Sequence, residues 1–196
     1  MNIKYRHVLG RSSVAVVRSR LAAAVGVVAL LVAALTGTAA GTASAAAQAS
    51  PGWACPGTPI PPGYVVTLRN PNGCNGAGAW FNQPVRDGIW TCATSPIPPG
   101  YVLTLHNATG CSGIDSWFMQ LARDGQWTCA GSPITPGYVN TGHINAGCGN
   151  IGSWFTQLAR AGEYMCPYQP IPAGYRAGAF NASMCGGLGG WLLLKA

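Results

Sequence analysis

Flat aromatic side chains with amides close by are the first chemistry this chain offers. Trp80, Trp117 and Trp154 recur at a fixed step of 37 residues, and Gln83, Gln120 and Gln157 follow each of them three positions later. Tyr64, Tyr101, Tyr138 and Tyr175 keep the same step, each directly after a glycine. An indole face beside an amide suits a sugar ring, whose C–H groups pack on the aromatic while its hydroxyls reach the amide. These ten residues form the candidate ligand-binding set. The competing role for them is structural, because large aromatics make up the core of small disulfide-rich β proteins. The tyrosines, placed just after a turn, are expected at the rim. Leu194 stands where a fourth Gln would be, so a Gln-dependent site has at most three copies.

Catalytic chemistry finds little support. His106 and His143 share one repeat position, but the other copies place Arg69 and Phe180 there. A general base is not exchanged in this way among equal units. Asp87 and Asp124 follow an arginine and precede a glycine, and Ala161 replaces them in the third copy. Asp-Gly is a hairpin-turn signal in its own right, so these acids read as turn formers. With Asp115 and Glu163 they complete the acids after residue 50. No spacing selects two of them as a glycosidase pair, and no serine completes a triad. No catalytic residue, cofactor or metal site is expected, since C-x-x-C is absent and only two histidines follow residue 50.

The elements that position these residues come from four gapless copies: 53–89, 90–126, 127–163 and a shortened 164–196. Such a period marks a solenoid, a ring or an array of modules. In the second copy Pro96–Gly100 forbids helix and reads as a turn. Tyr101–Leu105 is rich in β-formers and predicts a strand. Ser116–Leu121 predicts a second strand, with helix as its rival because Gln, Leu and Ala favour it. Arg123-Asp124-Gly125 predicts a tight hairpin that returns as Trp127–Cys129. On that pattern the array opens on a return strand lacking its partner and closes on an outgoing strand lacking its return. The expected fold is all-β: four disulfide-stapled repeats closed into a pseudo-fourfold assembly, with N- and C-terminal strands paired so that no edge is left open. An open row of four modules is the alternative.

All eight cysteines fall in the repeats, two per copy. That even count suits an oxidising compartment. The spacing allows pairing within copies or across them; the within-copy set needs no exception and is expected: Cys55–Cys74, Cys92–Cys111, Cys129–Cys148 and Cys166–Cys185. Residues 1–49 read as a cleaved signal peptide, with basic residues up to Arg20, an apolar run from Leu21 to Leu35 and small residues ending at Ala49. That run is shorter than the ~20 residues of a membrane span, so no stable membrane insertion is expected. The remaining 50–196 form a single repeat domain. Most of the net charge of +7 comes from the leader; beyond residue 50 six cations face four acids. A surplus of two cannot neutralise a run of phosphates, which argues against nucleic acid as a partner. The expectation is a secreted, non-enzymatic module binding a glycan or cell-surface polymer at several equivalent sites. A self-associating envelope or interaction protein, and a small secreted hydrolase or inhibitor, are the alternatives.

Overall fold

Each copy enters its long strand through a turn that its sequence dictates. Pro99 presets the φ of the first central position and Gly100 takes φ +84° at the second, so Tyr101 N–H donates to Pro98 C=O across 3.1 Å. This is the type II geometry, which a β-carbon at the second position would strain. Gly63, Gly137 and Gly174 repeat it with φ between +76° and +85°. In the computed structural model, which describes residues 50–196, twelve strands follow from these turns. The leader expected over 1–49 lies outside the described residues.

The strands are β1 (Gly52–Ala54), β2 (Tyr64–Asn70), β3 (Ala79–Pro84), β4 (Ile89–Cys92), β5 (Tyr101–Asn107) and β6 (Ser116–Leu121). They continue as β7 (Gln126–Cys129), β8 (Tyr138–Ile144), β9 (Ser153–Leu158), β10 (Tyr164–Met165), β11 (Tyr175–Asn181) and β12 (Gly190–Lys195). They form four antiparallel three-stranded sheets ordered β1-β3-β2, β4-β6-β5, β7-β9-β8 and β10-β12-β11. The Ser116–Leu121 segment is therefore strand, not helix. All four disulfides pair within copies, as expected: Cys55–Cys74, Cys92–Cys111, Cys129–Cys148 and Cys166–Cys185. The second cysteine of each pair sits in a tight left-handed turn, with φ between 50° and 53°.

The Asp-Gly hairpin is not formed. β6 already has both edges occupied, by β5 and by β4 of its own copy, so β7 has no edge of β6 to pair with. It pairs instead with β9, inside the third copy. Arg123–Gly125 thus carries the chain from one sheet to the next. The expected pairing of the terminal strands fails for the same reason: β1 pairs with β3, and β12 lies between β10 and β11. Each end strand finds its partner in its own copy. Successive copies meet one another, and closure of the four sheets is not seen among the described residues.

Successive copies are joined by groups that repeat with the sequence. Each long strand carries a bulge in which its register slips by one residue. Just before the bulge, Val66 and Leu103 N–H groups donate to Ser95 and Ser132 Oγ of the following copy, both at 2.9 Å. At the third joint Asn140 N–H donates to Gln169 Oε1 at 2.8 Å. The disulfide turn of each later copy packs onto the same bulge: Cys111 Sγ lies 3.8 Å from Thr67 C=O and Cys148 Sγ lies 3.6 Å from Thr104 C=O.

The core sits at these joints. One cluster combines Val65 and Ile89 of the first copy with Leu103 and Met119 of the second and Cys129 of the third. A second combines Val139 of the third copy with Met165 and Leu193 of the fourth. Val65, Val102 and Val139 hold one repeat position and are wholly buried, whereas the fourth copy places the exposed Arg176 there. Burying each valine contributes on the order of 1.5–3 kcal/mol. A single copy could not bury that face alone, which is the energetic logic of a repeat array.

Candidate ligand-binding surfaces

The aromatics picked out by their spacing are mostly engaged by the protein itself. Trp80, Trp117 and Trp154 lie half-buried on the central strands. Arg69 Cζ stands 5.6 Å from the Trp80 ring centre, and the His106 and His143 rings lie 4.4 and 4.3 Å from Trp117 and Trp154. One repeat position thus supplies a planar or cationic group against each of the three indoles, which accounts for the exchange of Arg for His. The tyrosines do not form an exposed rim. Tyr64 is buried and Tyr101, Tyr138 and Tyr175 are half-buried. Tyr138 OH donates to Ala122 C=O at 3.4 Å and Tyr175 OH to Ala159 C=O at 2.7 Å, each reaching the preceding copy.

The glutamines are half-buried and two have partners. Gln83 Nε2 donates to Thr67 Oγ1 at 2.8 Å; Gln120 Oε1 accepts from Thr104 Oγ1 at 3.0 Å and from Gln126 Nε2 at 3.2 Å. Their amides steady the bulged strand and a joint.

A second set of tryptophans, which their spacing marks only as strand residues, forms the exposed surface. Trp53, Trp90 and Trp127 on β1, β4 and β7 are 53%, 41% and 43% exposed. Each lies opposite a phenylalanine of the central strand: Phe81, Phe118 and Phe155. Ring centres are 5.3–5.4 Å apart in edge or tilted arrangements, the spacing favoured by aromatic quadrupoles. On the far edge the first two rows continue to Leu68 and Leu105, 53% and 52% exposed. The third has Gly142 there. Each of the first three sheets therefore carries an apolar row across its strands, Trp-Phe-Leu in two and Trp-Phe-Gly in the third. The fourth keeps Tyr164 opposite Leu192. The available signal was two tryptophans in each of the first three copies; which one faces solvent depends on pairing with a phenylalanine 28 residues away.

The charged groups serve joints. Asp87 Oδ1 and Asp124 Oδ1 accept the Leu121 and Leu158 N–H groups of the next copy at 2.8 Å, and their other oxygens pair with Arg123 and Arg160. The Leu158 N–H, followed by the Arg160 guanidinium, holds the Asp124 carboxyl below its ordinary value, and Asp124 in turn raises Arg160. His106 Nε2 lies 3.6 Å from Asp115 Oδ2, an arrangement restricted to the second copy because the other three place glycine at the Asp115 position. That nitrogen has no hydrogen-bond partner among the described residues. Comparison with protein-family models, curated proteins and solved structures finds no match for this chain.

Proposed function

We propose that this protein is an exported, non-enzymatic module that binds a carbohydrate or another cell-surface polymer at several equivalent sites. The observation that carries the proposal is the exposure of Trp53, Trp90 and Trp127, each steadied by a phenylalanine on the neighbouring strand. A rigid indole costs little side-chain entropy on binding and offers its face to the C–H groups of a sugar ring. Three such surfaces on one chain convert weak single contacts into firm attachment to a repeating polymer. Export is supported by the four disulfides, and no described helix is long and apolar enough to cross a membrane.

The test is retention on insoluble chitin, cellulose and peptidoglycan, with Trp53→Ala, Trp90→Ala and Trp127→Ala made singly and together. Each single change weakens retention by about tenfold or less, and the triple change abolishes it while the melting temperature holds. Retention of the triple variant at the wild-type level, or no retention of the wild type on any polymer, rejects the proposal. Leu68 and Leu105, more exposed than two of the tryptophans, favour a second reading in which the rows join copies of this chain. Mass measured by light scattering over a range of concentrations separates the two, because only self-association makes the mass rise.

A further inference from the structure

The first copy departs from the others in the layer between its strands. At one repeat position Asn82 stands where the later copies have Met119, Thr156 and Leu193; at another Ala54 stands where they have Thr91, Thr128 and Met165. In the second copy the wholly buried Met119 and Thr91 fill this layer. In the third it is polar but closed: Thr156 Oγ1 donates to Asn140 Oδ1 at 2.8 Å and lies 3.0 Å from Thr128 Oγ1. In the first copy the smaller side chains leave a cavity of about 290 Å³, lined by Ala54, Thr58, Val66, Trp80 and Asn82, with Thr94 contributed by the second copy.

Asn82 is only 7% exposed, and its Oδ1 is a buried acceptor with no hydrogen-bond partner among the described residues. A buried amide oxygen left without a donor costs about 1–3 kcal/mol. The same fold removes that cost in the later copies with Met, Thr or Leu. We propose that this cavity is a ligand site for a small neutral ring that packs an apolar edge against Trp80 and hydrogen-bonds the Asn82 side-chain amide, whose Oδ1 the protein leaves without a donor. The size lies at the lower end of small-molecule pockets, about 300 Å³, and the walls combine apolar surface with few polar groups, as such pockets do. No acidic or basic side chain lines it, so the ligand is uncharged. A hexose unit and a simple aromatic alcohol share this chemistry. The site is single and is independent of the three exposed rows.

The experiment titrates methyl glucoside, methyl N-acetylglucosaminide, phenol and cyclohexanol by ligand-detected NMR and calorimetry. It compares the wild type with Asn82→Met/Ala54→Thr, which installs the residues of the second copy. At least one probe saturates the wild type, and the double variant binds it about tenfold more weakly or not at all while melting at a higher temperature. Saturation by the glycosides alone assigns a sugar, and by phenol or cyclohexanol alone an aromatic or alicyclic alcohol; either outcome supports the site. If the double variant has no cooperative transition, Thr58→Leu closes the exposed rim without touching the strand layer and is read in the same way. Absence of saturation by every probe, the result expected of a gap holding only water, overturns the proposal. So does equal affinity in the filled variant. Trp90→Ala/Trp127→Ala leaves this affinity unchanged, so failure here and failure of the polymer-binding reading are separate results.

Discussion

Ser132→Ala tests whether the copies are joined by the groups described above or only by apolar contact. Ser132 Oγ accepts the Leu103 N–H at 2.9 Å across the joint between the second and third copies. Leu103 is buried and precedes the residue at which its strand slips register, so no ladder carbonyl is placed to take over that N–H. Removing the hydroxyl leaves a buried donor without an acceptor, at a cost of about 1–3 kcal/mol. At about 2–4 °C per kcal/mol for a domain of this size, the melting temperature falls by roughly 2–12 °C. The repeat supplies its own control. Thr58 holds the same position in the first copy, where no earlier described strand lies behind it, and it is exposed. Thr58→Ala should stay within about 0.5 kcal/mol of wild type. Gln169→Ala should cost more than Ser132→Ala, because Gln169 accepts from Asn140 N–H and also donates to the Asn140 and Cys166 carbonyls, all at 2.8 Å. The assay is thermal and urea unfolding together with hydrogen exchange at Leu103. Equal shifts for Ser132→Ala and Thr58→Ala, or Leu103 exchange unchanged in Ser132→Ala, would refute the reasoning.

Further expectations follow from the same joints. Met119→Ala empties the middle of the larger core cluster and should cost about 2–5 kcal/mol by urea unfolding, whereas Asn82→Ala at the matching position, beside an existing cavity, should cost clearly less. Replacing both Cys92 and Cys111 by serine opens a loop with a separation of 19 residues and should lower stability by roughly 3 kcal/mol, read from the shift of the urea midpoint. The Asp124 carboxyl is held below its ordinary value by the Leu158 N–H and Arg160, so its contribution is present above the unfolded pKa of about 3.9 and is lost as pH falls through the lower native value. The Leu158 amide shift should follow that titration with a midpoint below about 3.9 and stay flat in Asp124→Asn; a midpoint at or above that value contradicts the assignment.

What the sequence disclosed was local, and what it concealed depended on neighbours. The strands at Tyr101–Leu105, which the structure extends to Asn107, and at Ser116–Leu121 were legible because β-branched and aromatic residues run between turn signals. The disulfide pairing was legible because only one register treats all four copies alike. The strand at Trp127 was legible as a strand but not in its pairing. A partner just upstream of it and one 27 residues downstream satisfy the same local pattern, and the choice rests on the prior occupancy of both edges of β6. Which aromatics stay uncovered was not legible for a related reason. The two tryptophans in each of the first three copies are equally apolar, yet one set lies against Arg69, His106 and His143 while the other faces solvent. Residue type marks an aromatic surface, but only tertiary placement says which side chain remains uncovered.

In a repeat protein, departures from identity carry more information than the repeats themselves. Substitutions in the first and fourth copies answer different physical demands. In the fourth copy Arg176 replaces the valine that the earlier copies bury; it is exposed, and an apolar side chain on that uncovered face would invite association. Its exposure accounts for that change. At the first copy Asn82 and Ala54 have no such account: Asn82 is buried, its amide oxygen lacks a donor, and a filled layer was available within the same fold. Residues that lower stability without a compensating contact concentrate at functional sites. The repeated Trp-Phe pairs would let a weak surface gain strength through number, as proposed above. The unrepeated Asn82 layer marks a place, among the described residues, where the fold forgoes stability beside an opening.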